Sequence, residues 1–429
     1  MIDKKEFLKE LYLKGIDAIK PENSLRDSIT LDGDILKIAD KSYDLKSYKN
    51  IYLYGSGKAT IEMAKALRDI VGDIFKEIFV VSNYHEDIDG IRVFKSTHPL
   101  PSQLSLEAGK LLLDKFSSLK EDDLFIYLLS GGTSALIEDL NYFNKVSYKN
   151  PAEMLIDDLK NGILIEEFIN FSKILIESGA KIDEINRVRK AISNIKGGGL
   201  ARVTKADGFV LVMSDVVGDD LYAIGSAPFI CSSSCNAFEI LKKYNLLDKL
   251  PTIFKDAIFK EKKCEEIKKF DHFIVSSNKI ALEAIKKEAI KSGFSAEIVS
   301  DSVEGDVNAV ARYIVSERKR SNKDILIFGG ESTVKVLGSG IGGRNSELCL
   351  RVLKQMGGYD DFTFLSAGSD GIDGVSEGAG GVVDIGDLDD SIDRYLKNSD
   401  SYSYLKLKNS AIVTGESGVN VMDIMIAMR

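Results

Sequence analysis

Short runs of apolar and β-branched residues alternate along the chain with longer stretches in which apolar positions recur every three or four residues. The runs are Ile51–Tyr54, Ile78–Ser82, Leu124–Leu129, Phe209–Ser214, Phe273–Ser276, Glu297–Val299, Ile325–Phe328, Phe362–Ser366 and Ala411–Thr414. Leu124-Phe125-Ile126-Tyr127-Leu128-Leu129 shows no polar alternation, which suits a strand covered on both faces of a parallel sheet. The intervening patterns predict helices over Ala59–Val71, Leu104–Leu119, Ile165–Ser178, Ile182–Ile195, Lys279–Lys291 and Val307–Arg320. Strands alternating with helices predict an α/β fold. A chain of 429 residues is long for a single core, so two domains are expected. The expected division is residues 1–240, a lysine-rich and glycine-free connection over 241–270, and residues 271–429. Ser399–Tyr404 reads as a polar loop.

Glycine-rich turns follow the ends of the predicted strands. They are Gly55-Ser56-Gly57-Lys58, Ser130-Gly131-Gly132-Thr133-Ser134, Ser214-Asp215-Val216 with Gly218-Asp219-Asp220, Gly329-Gly330-Glu331 and Gly368-Ser369-Asp370-Gly371-Ile372-Asp373-Gly374. Lys196-Gly197-Gly198-Gly199 and Gly342-Gly343-Arg344-Asn345 lie elsewhere. In parallel α/β sheets ligands gather beyond the carboxyl ends of strands. Glycine admits close approach of backbone to an anion. Acids beside such loops point to phosphoryl transfer.

Each loop also has a plainer use. Lys58 opens a helix and adds a full charge to its N-terminus, but the surrounding residues complete neither a Walker A loop nor G-x-G-x-x-G; a tight turn with a solvated lysine fits equally. Ser130, Gly131 and Gly132 suit an anion nest or a simple turn. With three histidines in the chain, a serine-nucleophile triad is a poor fit. His98, in His98-Pro99-Leu100-Pro101, can donate to a substrate carboxylate or hold its own rigid loop. Arg189 and Lys196 fall on roughly one side of a helical pattern that ends at the triple glycine. Asp215, Asp219 and Asp220 can hold Mg²⁺ or take a proton from a hydroxyl. Arg344 near a helix N-terminus opposes the helix dipole, a local cost that suits contact with phosphate oxygens.

A net charge of −9 argues against nucleic-acid or anionic-membrane partners, and no stretch has the length of a membrane span. The first twenty residues mix charged with apolar positions, unlike a signal peptide. The four cysteines complete no metal set and are expected as free thiols in a reducing, cytoplasmic setting. A homodimer is compatible with all of this.

Taken in order, these motifs resemble the glycerate 2-kinase family, whose C-terminal part is called the MOFRL domain. The resemblance rests on Gly55–Ala59, His98–Pro101, Ser130–Leu136, Ile185-Asn186 with Arg189-Lys190, Ile195–Gly198, Ser214–Val216 with Gly218–Asp220, Gly329–Thr333, Gly342–Asn345 with Glu347, Ala367–Gly374 and Thr414–Val421. It implies a Rossmann-like N-terminal α/β domain with a mostly parallel sheet, a second α/β domain, and an active site in the cleft between them. It also implies ATP- and Mg²⁺-dependent phosphorylation of D-glycerate at the 2-hydroxyl, giving 2-phosphoglycerate. Lys58, Asp215 and Arg344 map onto the family's active-site residues. On that basis Ser130, Gly131, Gly132, Arg189, Lys196 and His98 are expected at the substrate. Gly55, Gly57, Gly329, Gly330, Glu331, Asn345 and Asp370 are expected at the nucleotide, and Asp215, Asp219 and Asp220 at the metal. Asp215 remains either base or metal ligand. Two departures stand out: Ser102 where the family has Asp, and Ala227 in place of a glycine. The rival readings are an NAD(P)H-dependent hydroxypyruvate reductase and a sugar-phosphate-sensing module.

Overall fold

The computed structural model describes residues 2–140, 165–231, 236–259, 268–356 and 362–429. The chain folds as two compact units: Met1–Asp27, Met213–Asp219 and Ile274–Arg429 form one, and Ser28–Val212 with Asp220–Phe273 forms the other. It therefore passes between them repeatedly, and neither unit is a simple half of the sequence.

Two helices open the chain, α1 (Lys4–Ile19) and α2 (Pro21–Ser28). The unit beginning at Ser28 starts with an antiparallel meander, β1 (Ile29–Asp32), β2 (Ile35–Ile38) and β3 (Lys41–Asp44). Then come β4 (Asn50–Ser56), α3 (Thr60–Val71), β5 (Phe75–Ser82), β6 (Arg92–Lys95), α4 (Gln103–Ser118), β7 (Asp123–Leu129) and α5 (Thr133–Leu136). After these stand helix α6 (165–177), α7 (Ile182–Ala191), α8 (Gly199–Val203), β8 (Asp207–Met213), α9 (Ala237–Lys243), α10 (Lys255–Phe259) and β9 (Asp271–Ser276). The sheet order is β6-β5-β4-β7-β8-β9. The β4–β5, β4–β7, β5–β6 and β7–β8 pairs are all parallel. Every residue of β7 is buried, as its unbroken apolar run requires.

The other unit adds α11 (Asn278–Lys291), β10 (Ala296–Asp306), α12 (Val307–Arg320), β11 (Ile325–Thr333), α13 (Arg344–Met356), β12 (Thr363–Gly368), β13 (Gly380–Val383), α14 (Ile392–Lys397), α15 (Ser401–Leu407), β14 (Ala411–Ile412) and β15 (Asp423–Met428). Its sheet, β10-β11-β15-β12-β13-β14, is mixed: β10 and β11 are parallel, and the other pairs are antiparallel. Leu326, Phe328, Met425 and Ala427 share one core with residues of α12 and α13. The alternate positions face the other way. Helices α1 and α11 pack together, and α1 also packs on β12, β13 and β15. Gly15 lets the two helices close, since a Cβ there would lie 2.7 Å from Ile285 Cδ1. The Tyr12 hydroxyl donates to the Gly368 carbonyl at 2.7 Å.

The α/β class and the parallel N-terminal sheet agree with the sequence reading. The division differs in two ways. Residues 1–27 fold with the C-terminal elements, because α1 carries an apolar stripe (Leu8, Leu11, Tyr12, Ile19) that is buried there. The expected connection at 241–270 supplies Leu241, Leu246, Leu250, Phe254 and Ile258 to a helical core shared with α6 and α7; its Lys260–Lys263 stretch lies outside the described residues. Ser399–Tyr404 is no loop, for α15 starts at Ser401 and buries Tyr402, Tyr404 and Leu405. Cys231 is disulfide-bonded, against the free-thiol expectation, whereas Cys349 is free and buried. Cys235 and Cys264 lie outside the described residues. Among the described residues no helix is long and apolar enough to cross a membrane.

Candidate active site

Strands β4 and β7 run side by side, with Ser56 opposite Leu129, so their two exit loops must meet. Ser130 N donates to Ser56 O at 3.2 Å and Lys58 N to Gly131 O at 2.9 Å. Ala59 N donates to Ser130 Oγ at 3.1 Å. Gly57, at φ +137, is obligatory: a Cβ would fall 2.0 Å from Ser130 Oγ. The knot fixes Lys58 just ahead of α3, and its ammonium makes no ion pair with a carboxylate among the described residues. A Cβ on Gly132 would lie 3.0 Å from His98 Cδ2 and 3.2 Å from Lys58 Cγ, so His98 and Lys58 both flank that glycine. Burial, and then the Lys58 charge, hold His98 below the usual histidine pKa. It is therefore neutral near pH 7 and adds no second cation.

The Ser130 side chain is buried and its Oγ accepts Ala59 N–H, which makes Ser130 a clamp for the Lys58 loop. Ser102, the first departure, caps α4 by accepting from Leu104 N at 3.2 Å. Ala227, the second, sits at φ +56, a conformation glycine adopts at lower cost.

Helix α7 places Arg189 and the following turn places Lys196 beside a cavity of about 120 Å³. Lys196 is 2% exposed and pairs with the fully buried Glu138. Ser193 Oγ donates to the other Glu138 oxygen, as does Asp139 N at 3.1 Å. Burial pushes the Lys196 pKa down, with Glu138 opposing and Arg189 reinforcing that shift. Lys196 thus lines the cavity with its charge already matched. Arg189 differs: its Nε is buried without a hydrogen-bond partner among the described residues.

In the other unit the centre is Arg344, the first residue of α13. Its Nε donates to Asp423 Oδ2 at 2.6 Å and its Nη2 to Asp423 Oδ1 at 3.0 Å. Nη1 lies 2.5 Å from Glu331 Oε1. A guanidinium has five N–H groups, so one on each Nη remains for a phosphoryl oxygen. The dipole penalty foreseen for Arg344 is offset from outside the helix: Asp373 accepts from Asn345 N at 2.9 Å and Ser346 N at 2.8 Å. Burial raises the Glu331 pKa; Asp423, Asp215 and Asp370 push it further up and Arg344 opposes them. Asp215 and Asp370 are therefore electrostatic neighbours of the Arg344 cluster.

The structure does not offer Asn345 to a nucleotide. It is 1% exposed, its Nδ2 donates to Asp423 at 2.9 Å and its Oδ1 accepts from Ser366 at 2.6 Å. Gly329 and Gly330 are required by packing: a Cβ would lie 1.7 Å from Asn278 Oδ1 at the former and 2.2 Å from Val303 O at the latter. Asp370 Oδ1 accepts Ile372 N–H at 3.0 Å within its own turn. Asp215 and Asp219 belong to the Arg344 unit and Asp220 to the Lys58 unit, where it accepts Tyr222 N–H at 2.9 Å. No group of three or more metal-ligating side chains stands ready among the described residues. Mg²⁺ needs only one or two carboxylates when substrate phosphates supply the rest.

Residues 7–150 and 151–258 match a domain of unknown function (DUF4147), and residues 324–423 match the MOFRL family. The chain is 32% identical to the glycerate 2-kinase of Pyrococcus horikoshii over 452 residues, covering 100% of this chain and 98% of that protein. It is 33% identical to the D-glycerate 2-kinase of Thermotoga maritima, covering 98% and 97%. The chain belongs to the glycerate 2-kinase family. Its fold matches the crystal structure of glycerate kinase from Thermotoga maritima with a TM-score of 0.84 at 31% identity, over 99% of both chains.

Two residues of this glycerate 2-kinase family member escape the motif reading. Asp423 heads an otherwise apolar strand, and Glu138 ends the apolar run Ala135-Leu136-Ile137. A lone acid in such surroundings is the available signal, because a buried carboxylate needs a partner.

Proposed function

We propose that this family member transfers the γ-phosphoryl group of ATP to the 2-hydroxyl of D-glycerate, giving 2-phosphoglycerate and ADP. The reading is carried by its full-length likeness to proteins named glycerate 2-kinase. Phosphoryl transfer requires positioning and charge stabilisation more than covalent help. Lys58, without a carboxylate partner among the described residues, is the candidate cation of one unit, and Arg344, with an N–H to spare on each Nη, that of the other. Neutral His98 and the Gly131–Gly132 turn beside Lys58 face the acceptor, with Arg189 receiving its carboxylate. Asp215 and Asp219 would hold Mg²⁺, which when bound neutralises the phosphate oxygens. Gly55 and Gly57 let the Lys58 loop close against β7 and Ser130, which holds Lys58 in place for the nucleotide.

The test is incubation with D-glycerate, ATP and Mg²⁺, following ADP and identifying the product by ³¹P NMR. The 2-phosphate is expected. A 3-phosphate would overturn the position, and absence of ADP would overturn the kinase reading. Oxidation of NADH with hydroxypyruvate would instead establish a reductase.

A further inference from the structure

The cavity beside Arg189 is lined by both apolar and polar side chains. Pro99, Leu100 and Pro101 line it together with Phe168, Ile169 and Ile176 of α6. Ser134 is tied to Ser226 Oγ at 2.8 Å, and Ser172 and Lys173 also line the cavity. Arg189 brings a positive charge and a buried Nε that has no acceptor among the described residues. Glu138 does not satisfy it, since Lys196, Ser193 and Asp139 N occupy that carboxylate. A buried donor without an acceptor is costly, and a carboxylate matches the guanidinium fork. Leu100 and Ile176 remain 56% and 58% exposed, so the apolar lining extends to surface that water reaches. A dry cavity of ~150 Å³ accommodates benzene, and the 120 Å³ here is enough for a short branched chain.

We propose that this cavity binds a small carboxylate with an apolar tail, its carboxylate on Arg189 and its alkyl group against Phe168 and Ile169. This deepens the acceptor reading by naming a ligand class: 2-hydroxy acids with an alkyl group where glycerate has a hydroxymethyl. An alkyl branch matches the Phe168 and Ile169 walls, which offer a hydroxyl no hydrogen bond from their side chains.

The test is calorimetric titration of the full chain with 2-hydroxy-3-methylbutanoate and with D-glycerate. The alkyl acid is expected to bind at least as tightly as glycerate. Arg189→Gln should weaken both by about tenfold or more. Ile169→Asn should weaken the alkyl acid by about tenfold, the lower end of what one methylene contributes in an apolar pocket, and leave glycerate nearly unchanged. If Ile169→Asn does not fold, Leu100→Ser at the exposed position gives the same comparison. Failure of the alkyl acid to bind, or equal weakening of both acids by the wall substitution, overturns the proposal. Binding without any phosphoryl transfer to glycerate would sink the kinase reading and leave this one standing.

Discussion

Glu138→Gln isolates the cost of the buried pair. The substitution keeps the shape of the side chain and removes the charge opposite Lys196, which is only 2% exposed. Breaking one partner of such a pair costs roughly 3–5 kcal/mol, because an uncompensated charge stays buried. The unit containing it spans about 240 residues, whose unfolding entropy at ~2.1 cal/mol/K per residue is about 0.5 kcal/mol/K. The unfolding midpoint of that unit should therefore fall by about 6–10 °C. The loss should depend on pH. Lys196 has its pKa lowered in the folded state from 10.5, so between the folded value and 10.5 the unfolded chain binds more protons. Stability must then rise with pH across that window. Removing Glu138, which opposes the lowering, widens the window towards neutrality. Differential scanning calorimetry of Glu138→Gln at pH 7 and pH 9.5 should show a smaller deficit at the higher pH. Glu138→Gln combined with Lys196→Met should recover much of the loss. A midpoint within about 1 °C of the parent at pH 7, or no recovery in the double variant, would refute the reasoning.

Arg344→Ala should lower kcat by about 10³-fold or more with the far-UV circular dichroism unchanged; near-normal turnover would remove Arg344 from the chemistry. The His98 ring should titrate below 6.5, the ordinary histidine value, because burial and then Lys58 disfavour its protonation. NMR of the ring protons reads the midpoint, and Lys58→Met should move it upward. Deleting residues 1–20 should destabilise the unit formed by residues 274–429, since Leu8, Leu11 and Tyr12 are buried and Tyr12 bonds Gly368; a calorimetric transition unchanged by the deletion would contradict that packing.

The parallel strands were legible because burial on both faces leaves continuous apolar runs such as Leu124–Leu129. The glycine turns next to Lys58 and Arg344 were legible because glycines cluster where the backbone packs closely. The meander at Ile29–Asp44 was missed: its strands are four residues each and too short for a clear period. Ser399–Tyr404 read as a loop because its tyrosines counted as polar, whereas Tyr402 and Tyr404 bury their rings in α15. The carboxylates that match the key cations were invisible for a different reason. Glu138 meets Lys196 across 58 positions, and Asp423 meets Arg344 across 79. No local periodicity encodes such a pairing. Only the sheet order brings β15 beside β11 and β12.

The strand that carries Asp423 has an implication for how the polypeptide is made. Helix α1 leaves the ribosome some 400 residues ahead of β15, one of the strands it packs on, an interval of roughly 20–80 s at ordinary elongation rates. During that interval α1 can meet α11, β12 and β13 but not β15, and Arg344 lacks its bidentate counter-ion until β15 threads into the middle of its sheet. A nascent chain stalled before that point would hold Lys58 in its finished loop but could not yet fix Arg344.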